Sequence, residues 1–173
     1  LTLWSSGDNL NGNILISNTA MSGGGLYAYV SNPLRLANNV VANNRTSGSG
    51  SGIYIDGSSL SMQHSTIARN SNGDGSGIYL GGGSVVALTS TILVSQTMGI
   101  RVAAGNTATL QATLWGSGAW ANGADWSGAG SIATGTINVR GDPSFVSPGA
   151  GDYHIGYASA AINAGVNAGV AAD

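Results

Sequence analysis

The sequence predicts an all-β fold: a right-handed parallel β-helix, a solenoid of coils about 25 residues long with three short strands in each. Three repeating ladders carry that prediction. The first is a glycine, an apolar residue, an outward aromatic and a second apolar residue. It reads Gly25-Leu26-Tyr27-Ala28, Gly52-Ile53-Tyr54-Ile55 and Gly77-Ile78-Tyr79-Leu80, with a weaker copy at Gly99-Ile100-Arg101-Val102 and a shortened one at Leu1-Thr2-Leu3. Its first apolar position falls at Leu1, Leu26, Ile53, Ile78 and Ile100, with spacings of 25, 27, 25 and 22. The second ladder is Leu10, Leu36, Met62 and Leu88, each 26 residues apart. The third is the run Asn13-Ile14-Leu15-Ile16-Ser17-Asn18, which recurs 26 residues on as Asn39–Asn44, Ser65–Asn70 and Thr91–Gln96.

Each apolar run has strand length and none reaches helix length. In the first strand, alternate side chains face opposite ways, so Ile53 and Ile55 point inward and Tyr54 points outward. Stacking then places Leu1, Leu26, Ile53, Ile78 and Ile100 in one internal column at about 4.8 Å per step. One coil cannot bury its apolar side alone, so stability must come from neighbours. Between strands, Gly supplies positive φ and Asn tolerates it. The column Asn18, Asn44, Asn70 and Gln96 predicts a ladder of stacked side-chain amides. Pro33 precedes a strand, where a missing N–H is tolerated.

The chain reads as a single domain in three parts: regular coils over 1–114, a Trp- and Gly-rich loop over 115–131, and closing coils with a C-terminal cap over 132–173. At about 25 residues per coil, the 173 residues predict about seven coils and roughly 30 Å of stack. The chain opens inside a strand without Met or signal peptide, so a processed or truncated piece of something longer is expected.

Composition excludes several classes. The acids are seven Asp, the bases five Arg, and Lys, Glu and Cys are absent. A net charge of −2 provides no basic footprint for nucleic acid. No apolar run of about 20 residues exists to span a membrane. Periodic apolar residues at 42% of the chain distinguish it from a disordered Gly-rich sequence.

The end carries a resemblance. Gly141-Asp142-Pro143-Ser144-Phe145-Val146, Gly151-Asp152-Tyr153-His154-Ile155 and Ser159-Ala160-Ala161-Ile162-Asn163-Ala164-Gly165 resemble the closing coil of bacterial surface β-helix proteins of the choice-of-anchor Q type. The repeat resembles the wider pectate-lyase-like β-helix superfamily. The chain departs from the ending in having Ala160 where Pro is usual and Asn163 where Asp is usual. The resemblance implies an extracellular or cell-surface location and a downstream anchor outside these 173 residues, and it specifies no chemistry.

The superfamily includes polysaccharide lyases and glycosidases, so catalysis has to be weighed. A lyase of that kind uses clustered acids for Ca²⁺ with a Lys or Arg base, and a glycosidase needs paired carboxylates. The outward positions here are Thr2, Tyr27, Tyr54, Tyr79 and Arg101, and beside them Trp4, Tyr29, Asp56, Gly81 and Ala103. Asp56 is the one acid on that face, nearly two coils from Arg101. No catalytic residue, cofactor or metal ligand is therefore assigned. Asn70-Ser71-Asn72-Gly73-Asp74-Gly75 starts like a Ca²⁺ loop but has Gly81 at the twelfth position. Arg140-Gly141-Asp142 is read as part of the closing motif. His64 and His154 lack zinc spacing. Threonines fall in different columns, against an ice-binding array.

The candidate ligand-binding residues are Tyr27, Tyr29, Tyr54 and Tyr79 with Arg101 at their end, and Trp115, Trp120 and Trp126 in the Gly-rich stretch. Stacked tyrosines stabilise a sheet by themselves, and they also offer an aromatic strip to a polysaccharide or cell-surface glycan. The tryptophans either shield an irregular part of the core or present a patch. The leading expectation is a non-catalytic stalk, adhesin or sugar-contacting module; a degenerate lyase or glycosidase is the alternative. A third class follows from the open strands at the first coil, which invite another chain. Phe145, Tyr153, Ile155 and Ile162 are expected to fold over the last coil, leaving the N-terminal face for self-association into a head-to-tail filament.

Overall fold

A computed structural model describes residues 1–167 of the chain. The strands form three parallel sheets, each six strands deep. The first sheet contains Thr2–Trp4, Leu26–Tyr29, Ile53–Asp56, Ser76–Gly81, Met98–Val102 and Ala124–Ser127. The second contains Asn9–Asn11, Leu34–Ala37, Ser59–Gln63, Val85–Thr89, Thr107–Gln111 and Ser131–Thr134. The third contains Ile14–Ile16, Val40–Ala42, Thr66–Ala68, Ile92–Val94, Thr113–Gly116 and Asn138–Gly141. The chain visits the sheets in rotation, one strand each per coil, so six rungs stack in about five turns rather than the seven expected. Leu26, Ile53, Ile78 and Ile100 stand in one inward column with no exposed surface, and Leu36, Met62 and Leu88 fill a second. Leu1, on the outermost rung, is half-exposed.

The difference of about two turns arises because the chain leaves the stack after Gly141. Phe145–Ser147 and Asp152–Ile155 pair as an antiparallel hairpin. It does not close the last coil. Phe145 and Tyr153 pack sideways on Ala42, Ala68 and Val94, and Ile155 and Ile162 remain 42% and 44% exposed. The third sheet explains this correction. Its runs Ile14-Leu15-Ile16, Val40-Val41-Ala42 and Ile92-Leu93-Val94 are apolar at every position, the pattern of a sheet covered on both faces. The hairpin straps its outer side. Asn43 donates to the Tyr153 hydroxyl at 3.0 Å, and Val166 N–H donates to Ser90 Oγ at 3.1 Å. A groove of about 840 Å³, floored by Ile14, Val40 and Ile92, runs beside the strap.

Residues 115–131 are likewise not a loop. They contain the end of the strand Thr113–Gly116, a 3-10 turn at Gly118–Trp120 and the strand Ala124–Ser127. The stack ends on charge. Arg140 continues the inward column Leu15, Val41, Ile67, Leu93 and Trp115, and it pairs with Asp125. A charged residue at an inward position is one way an open sheet edge is kept from pairing further.

In the middle coils each of the three corners turns on a left-handed residue followed by a buried polar one. At the corner between the third and first sheets, Ser17, Asn43, Arg69 and Ser95 have φ of 59°, 55°, 55° and 57°. The residues after them form the amide ladder. Asn18 N–H donates to Asn44 Oδ1, Asn44 N–H to Asn70 Oδ1 and Asn70 N–H to Gln96 Oε1, each at 2.9 Å. Gln96 N–H continues it to Asn122 Oδ1 at 3.0 Å. The Asn44, Asn70 and Asn122 side-chain amides also donate to the carbonyls of Leu15, Val41 and Leu93. A serine ladder joins Ser31, Ser58 and Ser84 to Asn106 at a second corner, and Asn13, Asn39 and Ser65 form a third.

The ladder dictates the glycines of the repeat. A Cβ on Gly25, Gly52, Gly77 or Gly99 would lie 2.8, 2.9, 2.7 or 3.1 Å from the side-chain nitrogen of Asn44, Asn70, Gln96 or Asn122. The glycine preceding each first inward residue is thus the space the amide occupies. Gln96 breaks the pattern: its longer side chain leaves Nε2 buried without a partner. Two outcomes follow, both read by chemical denaturation. Asn70→Ala, which strands the Asn44 amide and the Val41 carbonyl, lowers stability by about 3 kcal/mol. Gln96→Asn, whose shorter amide can reach the coil below as its neighbours do, raises it by about 1 kcal/mol.

Candidate functional site

The outer face of the first sheet carries the aromatic residues. Because the strands are parallel and in register, every outward position repeats as a column. Thr2, Tyr27, Tyr54, Tyr79, Arg101 and Ser127 are successive partners in one column. Trp4, Tyr29, Asp56 and Gly81 are successive partners in the next. The four tyrosines expected to meet therefore do, and Arg101 follows Tyr79 by one rung.

The rings form a continuous ledge rather than a flat strip. Ring centres lie 4.7 Å apart for Trp4 and Tyr29, 6.5 Å for Tyr29 and Tyr27, and 5.1 Å for Tyr27 and Tyr54. Tyr54 and Tyr79 meet at 4.9 Å with planes 81° apart, an edge-to-face contact. Such pairs favour tilted geometry because the ring edge is positive and its face negative. Gly81 makes room for them. A Cβ there would lie 3.1 Å from the Tyr54 hydroxyl and 3.3 Å from a Tyr79 ring carbon. Trp4 is the most open ring, with 70% of its surface exposed, while the tyrosines are half-buried by one another. The sequence places Trp4 in this column without marking it as a binding residue; its position beside Tyr29 was the available signal.

Asp56 sits within the ledge and accepts a hydrogen bond from the Tyr27 hydroxyl at 3.4 Å. Asp56 and Arg101 occupy neighbouring columns two rungs apart, so they do not converge on one bond. Burial, and then the Asp56 charge, raise the phenol of Tyr27 and push that of Tyr54 up to about 12. These hydroxyls remain protonated donors far above neutral pH.

The tryptophans resolve differently from a surface patch. Trp115 is 3% exposed and belongs to the core, with Trp126 5.6 Å away. Trp126 stands in the inward column after Ile100, on the last rung of that sheet among the described residues, and is 45% exposed. Trp120 packs edge-to-face on Phe145 at 5.1 Å, with the Arg69 guanidinium 4.5 Å from its ring centre. Trp115 and Trp120 thus cover apolar interior while Trp126 keeps an exposed face, and none of the three belongs to the tyrosine ledge.

The minor motifs are turned to local bonding. Asp74 Oδ1 accepts from the backbone of Gly50 and Ser76 and from the Ser76 hydroxyl. Arg140 pairs with Asp125, and Asp142 accepts from Ser144 N–H. His154 lies 2.6 Å from an Asp152 oxygen. Among the described residues no three His, Asp or Glu side chains gather as a metal site, and no helix is long and apolar enough to cross a membrane.

Residues 2–124 match a family described as right handed beta helix region. Comparison with curated proteins and with solved structures finds no significant match.

The raised phenols give a test of the ledge. Folding is favoured by protonated Tyr54 and Tyr27, whose folded pKa values exceed the ordinary 10.0. Their contribution is complete below pH 10 and is lost as pH rises above it, for Tyr54 as pH approaches about 12, because the unfolded chain releases these protons first. Denaturation midpoints should fall across that window. Asp56→Asn removes the carboxylate that opposes ionisation, so the fall becomes shallower and phenolate absorbance develops at lower pH. An unchanged absorbance titration in Asp56→Asn would separate Asp56 from the ledge.

Proposed function

Given that the chain belongs to the right-handed β-helix family, we propose that it is a non-catalytic structural module of a secreted or surface protein that contacts carbohydrate through the aromatic ledge. The observation that carries this reading is the continuous run Trp4–Tyr29–Tyr27–Tyr54–Tyr79, with an open indole at one end and a cation, Arg101, at the other. Half-exposed rings with polar tips suit the apolar faces and surrounding hydroxyls of sugar rings. The ledge follows the stacking axis at about 4.8 Å per rung, so its ligand is an extended polymer lying along the axis.

Other features support a scaffold role. The chain is lysine-free with 7% charged residues. Its ending resembles bacterial surface proteins. Asp56 and Arg101 stand apart, which favours binding over bond cleavage. The Arg140–Asp125 pair on the last rung works against the head-to-tail filament, since the next coil would have to bury it.

A glycan array followed by titration tests the reading. Binding of a linear polysaccharide should weaken about tenfold, or about 1.4 kcal/mol, in Trp4→Ala and again in Tyr54→Ala. Trp4→Ala is the cleaner variant because the ring is mostly in solvent. Equal binding by both variants would remove the ledge from the function. Incubation with pectins, alginates and glycosaminoglycans supplies the counter-test: an unsaturated sugar product lost in Asp56→Ala or Arg101→Ala would make the chain an enzyme.

A further inference from the structure

The arginines are unevenly provided for. Arg140 has its carboxylate, whereas Arg45 and Arg69 line one recess of about 410 Å³ with no carboxylate among its described lining residues. The recess is made by the repeat. Ser17, Asn43 and Arg69 occupy the same left-handed corner position on three successive coils. Thr19 and Arg45 are partners two residues further along the first two of those coils. The turn at Pro148 and Gly149, at the tip of the strap, closes the outer side.

The two guanidiniums are held unequally. Arg69 is fixed by the Trp120 ring 4.5 Å away, and the Tyr153 hydroxyl beside it is itself tied to Asn43. Arg45 is exposed and forms no ion pair among the described residues. Two cations share a polar recess in a chain whose acids outnumber its bases. Guanidinium forks match oxyanions by paired hydrogen bonds, and the Ser17 and Thr19 hydroxyls add neutral donors.

We propose that this recess binds a tetrahedral oxyanion, a sulfate or phosphate, either free or as an ester on a sugar. The volume exceeds that of an ion and accommodates the group bearing it. The site lies at the corner between the third and first sheets, built from other residues than the ledge, and stands whether or not the ledge binds glycan.

The experiment is an NMR and calorimetric titration of the whole chain with sodium sulfate and sodium phosphate, against sodium chloride at matched ionic strength. Sulfated and phosphorylated monosaccharides form parallel arms. Saturable shifts at Thr19, Arg45 and Gly149 are expected with the oxyanions and not with chloride. Arg45→Gln should weaken binding at least tenfold without changing the melting temperature, since its side chain is exposed and forms no ion pair among the described residues. Arg69→Lys, which keeps the charge and loses the fork, should weaken it less. Tighter binding of the esters than of the free ions identifies a modified glycan as the ligand; equal binding identifies the ion. Trp4→Ala should bind the oxyanions unchanged. Shifts reproduced by chloride, or undiminished in Arg45→Gln, would overturn the proposal.

Discussion

The amide ladder at the corner between the third and first sheets governs the spacing of the whole stack. An asparagine there must receive a backbone N–H from the coil before it and reach the carbonyl of the residue three before that N–H. Both bonds close only when successive coils lie one strand spacing apart and the side chain is asparagine-sized. The interval of 26 from Asn18 through Asn44, Asn70 and Gln96 to Asn122 is therefore kept even where neighbouring loops change length. The spacing of 25, 27, 25 and 22 in the first-sheet column shows where the chain absorbs variation instead. The glycine column facing the ladder is the same constraint seen from the other side, because a methyl group on Gly52 would strike both Asn70 and the Gly77 carbonyl. Polar and apolar columns thus divide the work. Leu26, Ile53 and Ile78 supply burial, and the amides fix register, since a slip by one residue would orphan buried groups.

The same logic sets what faces outward. Parallel, in-register stacking makes any outward residue into a column if the repeat preserves it. The first sheet turns this into an aromatic ledge, and the corner into a recess lined by two arginines. The third sheet turns it into aliphatic columns that would be left in water. The C-terminal segment covers one of these, Ile16, Ala42, Ala68 and Val94, with Phe145 and Tyr153. Burying a Phe and a Tyr against alanines is favourable because small residues let the rings approach the sheet closely.

Most of the solenoid was legible because its signals are periodic. The inward column, the outward tyrosines and the amide ladder all lie at fixed intervals, so one correct register places all of them. What was not legible depends on single residues at the end of the pattern. The Trp-rich stretch reads as a loop because glycines surround it, yet Trp115 and Trp126 stand in core columns at positions where coil length has shifted. Phe145 and Tyr153 are apolar residues with no periodic partner, so the sequence shows that they must be buried and not where. A clue existed in the uninterrupted apolar runs of the third strand, which call for a cover on the outside. The arginine recess was hidden for a different reason: Arg45 and Arg69 are 24 residues apart and in different columns, and Gly149 joins them only through the strap.

The strap changes the mechanics of a one-dimensional protein. In a simple array each unit touches only its neighbours, so loss can begin at either end and spread one interface at a time. Here Tyr153 is tied to Asn43 on the second rung, Val166 to Ser90 on the fourth, and Phe145 to Trp120 beyond the fifth. Through the strap these ties connect the second coil to the fourth and fifth, which it does not pair with directly. A pull along the axis is shared between the stack and the strap, in the way a spine of thread holds the pages of a book. That arrangement converts a column of units coupled only to their neighbours into one in which distant coils are held by a common tie.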